Sequence, residues 1–283
     1  MCLNPFPVVV DEKYPYIEKK HKVTYLVPCR HCPECRTLRR LQWIFRMEQE
    51  SLRHEFNYFI TLTYSNEFLP KDGQIYKPDF QEFMKRLRRN HEYVFKNARI
   101  SYYACGEYGD TYGRCHFHAI LFCNHPLSSA DINIAWKYGF IDFKPFTSTR
   151  AAYVVKYSQK SLWYYLPDDV QAPCSLCSNN LGSCYLTPSV KRYYKSTQFT
   201  DCFTLNGTKL PLPRYYYDRI FTKVERKQIS MRKELERFRQ EMRDYEECGL
   251  WSIRGKLANS QQKWQNAYNN FLYKPINDFT LYE

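Results

Sequence analysis

The sequence predicts an α+β fold, a sheet with helices packed on it, and three features carry that reading. Apolar runs of strand length at 58–64, 100–105 and 116–122 are interleaved with amphipathic helical patterns after Pro78 and around Ser128. The last two runs are joined by Gly106-Glu107-Tyr108-Gly109-Asp110-Thr111-Tyr112-Gly113, turn chemistry throughout, which makes them antiparallel neighbours. A chain of 283 residues can bury a sizeable core, as one large domain or one domain with appendages.

Residues 1–55 read as a cysteine-rich segment followed by a basic amphipathic helix from Arg36 to about Phe56. Cys29, Cys32 and Cys35 stand at Cys-x-x-Cys-x-x-Cys spacing. Cys2 is a candidate fourth thiol for a tetrahedral structural zinc site that pins the N-terminus to the helix, with His31 as a competing ligand. Three cysteines also suit iron–sulfur ligation. Disulfides are disfavoured, because Met1-Cys2-Leu3-Asn4-Pro5 has neither the charged start nor the apolar run of a secretory leader.

Residues 56–166 carry the core. A strand at 58–64 is followed by a helix that begins at Pro78, with Asp79 in its first turn and Phe80, Phe83, Met84 and Leu87 on one face. The strands Ile100–Cys105 and His116–Phe122 come next, then a helix from Ser128 to Tyr138, a strand from Phe140 to Phe143 and a helix from Thr147 to Lys160. Residues 167–213, rich in Pro, Ser, Asn, Gly and Cys, read as an irregular insertion in which Cys174, Cys177 and Cys184 are candidate metal ligands together with Cys202. Residues 214–283 open with a charged helical pattern to about Glu247, its apolar members being Ile220, Val224, Ile229, Met231, Leu235 and Phe238. The tail from Trp264 to Glu283 is aromatic enough to dock.

Two constellations bear on chemistry. Side chains of a strand alternate between faces, so His116 and His118 share one, and Glu107 can return beside them from the preceding turn. Two neutral imidazoles and a carboxylate with open positions suit a divalent ion held for catalysis. The competing reading makes both histidines core residues. On the helix 147–160, Tyr153 and Tyr157 are one turn apart on one face, and each has a lysine three residues on, Lys156 and Lys160. A phenol is a weak nucleophile at neutral pH, and a nearby ammonium both favours phenoxide and binds phosphate. In a chain with 26 tyrosines, half-buried amphipaths are the competing reading.

Together these motifs resemble the HUH endonuclease superfamily, and within it the replication initiators of small circular single-stranded DNA phages of the microvirus type, gokushoviruses included. Phe59-Ile60-Thr61-Leu62-Thr63-Tyr64 is similar to the family's first motif, His116-Phe117-His118 to its His-hydrophobe-His motif, and Tyr153-Val154-Val155-Lys156-Tyr157 to its two-tyrosine nucleophile motif. Glu107 matches the acidic residue that completes the family's metal site. Cys115 stands where many relatives have proline, which places a thiol open to oxidation beside the site.

The resemblance implies an antiparallel sheet of ferredoxin- or RRM-like topology with the site on its open face. It implies a metal, Mg or Mn, that polarises a phosphodiester while a tyrosine attacks it, leaving a 5'-phosphotyrosyl link and a free 3'-hydroxyl that primes rolling-circle synthesis. The partners it implies are single-stranded DNA, a replication origin, and a helicase and polymerase of the host, in the host bacterial cytoplasm. No Gly-x-x-x-x-Gly-Lys-Ser/Thr loop occurs, in keeping with chemistry that needs no nucleotide cofactor.

Composition agrees with a polyanionic partner. Forty-two Lys and Arg against 29 Asp and Glu give +13, and 18% of residues are aromatic, rings that can stack on unpaired bases. The densest basic clusters are Arg36 with Arg39 and Arg40, and Lys85-Arg86 with Arg88-Arg89; each is either a phosphate-contacting face or simply a solvated one. A mean hydropathy of −0.64 and the lack of a long apolar run argue against a membrane partner. Two other functions fit part of the pattern: a non-enzymatic RRM-like module that binds single strands, and a plasmid mobilisation relaxase. Relaxases tend to carry their tyrosine ahead of the histidines, whereas Tyr153 and Tyr157 follow them here.

Overall fold

The computed structural model describes residues 6–12, 21–30, 32–109, 113–157, 170–196, 202–205 and 207–248. Contacts divide the chain into two units, Arg40–Ile220 and a second formed by Met1–Arg39 with Phe221–Glu283.

The larger unit is organised by a five-stranded antiparallel sheet. Its strands are β3 (Phe56–Tyr64), β4 (Ile100–Tyr108), β5 (Cys115–Cys123), β6 (Gly139–Pro145) and β7 (Cys174–Cys177), in the spatial order β6-β3-β5-β4-β7, numbering from the two strands of the other unit. Helix α2 (Lys77–Val94) links β3 to β4, and α3 (Ser129–Ala135) links β5 to β6. Each connection steps over one intervening antiparallel strand, so the core is two interleaved split βαβ units, the ferredoxin- or RRM-like arrangement.

Local chemistry explains these helices. Pro78 in the first turn of α2 has no N–H to leave unsatisfied, and apolar residues at helical spacing bury Phe80, Phe83, Met84, Leu87 and His91 against the sheet. Burying a Phe, Met or Leu side chain contributes about 1.5–3 kcal/mol each. Helix α3 starts with a reciprocal cap: the Ser128 hydroxyl accepts from the Asp131 amide, and the Asp131 carboxylate accepts from the Ser128 amide.

Period-two alternation divides the sheet residues between two layers. Ile60, Leu62, Phe117, Ala119 and Leu121 face α2, α3 and Trp136. Phe59, Tyr103, Cys105, Ile120 and Phe122 face the other way, onto Trp43 and Met47 of α1 (Pro33–Ser51) and Ala151, Val154 and Val155 of α4 (Ser148–Tyr157). The face expected to be open is therefore partly covered.

Three expectations need correction. Strand β4 runs through Glu107 and Tyr108, so the glutamate is a strand residue paired opposite His116, and the turn begins only at Gly109. Residues 167–213 are not an irregular insertion. They supply β7, which adds to the β4 edge, then α5 (Pro188–Ser196) and a hairpin of β8 (Cys202–Leu205) and β9 (Thr208–Pro211). This segment docks on α1, where Phe45 stacks on Phe203 at 4.3 Å and meets Tyr185 and Tyr216. The charged C-terminal pattern is two helices, α6 (Arg214–Ile220) and α7 (Lys223–Cys248). The break falls at Thr222, whose hydroxyl accepts from the Glu225 amide while its own amide donates to the Glu225 carboxylate.

In the smaller unit, β1 (Phe6–Glu12) and β2 (His21–Val27) form an antiparallel pair. The aromatic tail from Trp264 lies outside the described residues. No helix among the described residues is long and apolar enough to cross a membrane.

Candidate active site

The β4–β5 register sets Glu107 directly opposite His116 and Cys105 opposite His118. On one face, a directly opposed pair and its diagonal neighbour lie within side-chain reach. The three functional groups consequently meet: Glu107 Oε1 stands 2.9 Å from Nε2 of His116 and 3.1 Å from Nε2 of His118, and the two nitrogens are 3.1 Å apart. Gly106 makes the register possible on the opposite face, because a Cβ there would lie 2.9 Å from the ring of Phe117, its cross-strand partner, and 2.7 Å from Ile75 Cγ2.

Each ring is oriented through its other nitrogen. His116 Nδ1–H donates to the Arg114 carbonyl at 3.0 Å, which directs the Nε2 lone pair at Glu107. Nδ1 of His118 is 3.0 Å from the Thr61 hydroxyl on β3, and its ring stacks on Phe59 with centres 5.7 Å apart. Burial pushes the Glu107 carboxyl up, but the two imidazoles against it outweigh burial and hold it below its ordinary range. Three electron-pair donors thus converge on one point, an arrangement that a cation relieves. The spacing is informative about which cation. Ligands about 2.1 Å from an octahedral ion stand about 3.0 Å apart when cis, against about 3.4 Å around a tetrahedral one. The observed triangle fits one face of an octahedron, with the remaining positions open.

Helix α4 brings the first tyrosine to this point. The Thr147 hydroxyl caps it by accepting from the Arg150 amide at 3.1 Å, and Arg150 donates to the Pro145 carbonyl. Ala151, Val154 and Val155 are buried on the sheet, which leaves Tyr153 at the edge of the contact, 40% exposed. Its ring centre is 5.1 Å from that of His118 and 6.3 Å from that of Phe59. Lys156 is half-buried in the last turn. Tyr157 closes the helix, and its side chain, like Lys160, lies outside the described residues.

Sequence reasoning did not assign Thr61, Phe59 or Arg114 a place at the site. Thr61 belonged to a recognised motif, but its role follows from the pairing of Thr61 with His118 across β3 and β5, which no local pattern reveals. The expectation for Cys115 is corrected. It points to the opposite layer, among the residues packed under α2 and α3, and burial pushes its thiol up to about 11.

The basic clusters are placed differently from one another. Arg36 is only 7% exposed, while Arg39 is exposed and Arg40 half-buried. On α2, across the sheet from His118, Arg86 donates to the Ala135 carbonyl, Arg88 to the Ile100 carbonyl, and Lys85 pairs with Glu82; Arg89 is exposed. Arg86 and Arg88 thereby tie α2 to its neighbours.

Among the described residues, two groups gather their ligand atoms within 4.8 Å: Glu107, His116 and His118, and Cys29, Cys32 and Cys35. Cys2 and His31 lie outside the described residues. The downstream cysteines do not converge. Cys174 and Cys177 are three apart on β7 and so point to opposite faces, and Cys184 donates to the Gln49 carbonyl at 3.0 Å.

Comparison with known proteins converges on one group. Residues 57–162 match the family model of the replication-associated protein ORF2. The chain is 30% identical to the replication-associated protein VP4 of Bdellovibrio phage phiMH2K over 70% of this chain and 69% of that protein. It is 28% identical to the replication-associated protein ORF4 of Chlamydia phage 1, over 74% of this chain but 61% of that longer relative, and 28% identical to the replication-associated protein ORF2 of Spiroplasma virus 4 over 71% and 69%. No solved structure matches the chain.

Proposed function

The chain belongs to the replication-associated proteins of phages, and from that premise we propose that it initiates rolling-circle replication by nicking single-stranded origin DNA with a tyrosine. The observation that carries the proposal is the triangle of Glu107, His116 and His118 ligand atoms with the Tyr153 ring against His118.

In this reading Glu107, His116 and His118 hold a Mg or Mn ion, which when bound draws electron density from a phosphodiester oxygen and favours attack at phosphorus. Thr61 and the Arg114 carbonyl keep the two imidazoles aimed. The Tyr153 oxygen, giving up its proton, forms a bond to phosphorus as the bond from phosphorus to the 3'-oxygen breaks. The 3'-oxygen takes a proton and becomes the primer, while the 5'-phosphate stays on the tyrosine. Lys156 and Lys160 supply positive charge for the phosphate. Tyr157, one turn along the same helix, attacks the regenerated origin after a full round and allows circle closure. The phosphodiester energy is kept in the tyrosyl ester, so joining needs no nucleotide cofactor. Unwinding and synthesis fall to a helicase and polymerase of the bacterial cytoplasm.

The test is label transfer. Purified protein is incubated with end-labelled single-stranded phage circle fragments and Mn, with and without chelator. A denaturation-resistant protein band that carries label, disappears with chelator and is absent from the Tyr153→Phe/Tyr157→Phe double variant supports the proposal. Binding without any adduct across candidate origins would replace it with a single-strand-binding module.

A further inference from the structure

We propose that Cys29, Cys32 and Cys35 hold a zinc ion at the start of α1, with the buried guanidinium of Arg36 as its charge partner. This site is independent of the nicking chemistry.

The local backbone is built to converge the thiols. Arg30 adopts a left-handed conformation, φ 64°, which turns the chain back so that the Cys32 amide donates to Cys29 Sγ at 3.3 Å. An N–H aimed at sulfur favours the thiolate. Pro33 then starts the helix, and Cys35 falls in its first turn, where free amides and the helix dipole also favour thiolate. The result is three sulfurs within 4.8 Å of one another, with Cys32 only 3% exposed.

That geometry selects among the chemistries open to three thiols. A disulfide would use two of them and leave the third buried beside it. An iron–sulfur cluster ties its cysteines to different irons and holds them farther apart than ligands of one ion. A single tetrahedral ion at about 2.3 Å from each sulfur needs them about 3.8 Å apart, which this cluster can supply. Soft thiolates favour zinc over the hard ions suited to the histidine and glutamate site.

Arg36 completes the argument. A cation only 7% exposed is stable when an opposite charge sits beside it. Burial pushes the guanidinium down to about 10, and the Cys32 and Cys29 thiols act against that, so it stays protonated at neutral pH. Three thiolates on Zn²⁺ carry one net negative charge, which one arginine balances. Arg36 is thereby committed to the cysteine cluster, not to a phosphate.

The experiment uses the full chain, purified without chelators and assayed for metal by plasma mass spectrometry. One zinc per chain is expected, released when p-hydroxymercuribenzoate blocks the thiols. Exchange with Co²⁺ is expected to give sulfur-to-cobalt charge-transfer absorption with tetrahedral ligand-field bands. Cys32→Ser should lose the ion and the His116→Ala/His118→Ala variant should keep it. Arg36→Met is expected to weaken zinc binding about tenfold or more, with Arg36→Lys restoring most of the loss. Protein without zinc, zinc that survives thiol blocking, or iron with acid-labile sulfide overturns the metal assignment. Unchanged affinity in Arg36→Met overturns the role of the arginine. Should Cys32→Ser fail to fold, mercurial release and the cobalt spectrum of the unaltered chain still decide.

Discussion

Thr61 and His118 sit opposite one another in the β3–β5 pairing, and the threonine hydroxyl is 3.0 Å from Nδ1 of the imidazole whose other nitrogen faces Glu107. A hydroxyl here fixes the ring without touching the ion. Thr61→Val keeps the shape and removes that contact, and is expected to lower Mn affinity about 10–100-fold while the fold persists. Titration calorimetry reads the affinity, and an unchanged value would remove Thr61 from the site.

The two tyrosines of α4 make a second test. If they are interchangeable, Tyr153→Phe and Tyr157→Phe each retain part of the initial nicking and only the double variant has none. Single-turnover label transfer on a fresh oligonucleotide measures this. One tyrosine supporting all first-strand cleavage refutes interchangeability. The contact of Tyr153 with His118 then marks it as the residue poised for the first attack.

What is legible in the sequence follows from how local the signals are. His116 and His118 share a face because a strand alternates with period two, so their spacing alone reveals the pair. Glu107 is recognisable as a ligand but reads as a turn residue, since Gly106 and Gly109 on either side look like turn glycines. Gly106 is in fact there to let Phe117 lie across the strand. Strand β7 escapes a sequence reading because four residues in a stretch rich in Pro, Ser and Cys have no periodicity of their own, and only pairing with β4 makes them a strand. The break between α6 and α7, by contrast, has a local signal: Thr222-Lys223-Val224-Glu225 carries the spacing of a reciprocal helix cap, hidden within a longer charged pattern.

Gly106→Ala tests the β4 register. The added methyl must displace Ile75 or Phe117, which it would approach to 2.7 and 2.9 Å. Overpacking of this kind costs about 1–3 kcal/mol, and a domain this size loses about 2–4 °C of melting temperature per kcal/mol. Because Glu107 is the next residue, Mn affinity should fall along with the melting temperature. Loss of stability with intact Mn binding would show that the glutamate does not depend on that close approach.

The basic residues of α2 separate structural from electrostatic roles. Arg88 donates to the Ile100 carbonyl and partners Ser178, so Arg88→Ala should lower the melting temperature. Lys85 and Arg89 are exposed on a helix that packs on the sheet face opposite His118. A short single strand at the tyrosine face does not reach them, because the sheet lies between. The Lys85→Gln/Arg89→Gln variant is therefore expected to nick a short oligonucleotide within about twofold of the unaltered protein at saturating substrate, since rim charges act mainly on encounter. On a longer origin fragment that wraps to α2, each lost phosphate contact should flatten the salt dependence of log affinity by about one. Nicking of the short strand that falls well beyond twofold would place α2 on the path of the cleaved strand and count against the tyrosine face as its sole binding surface.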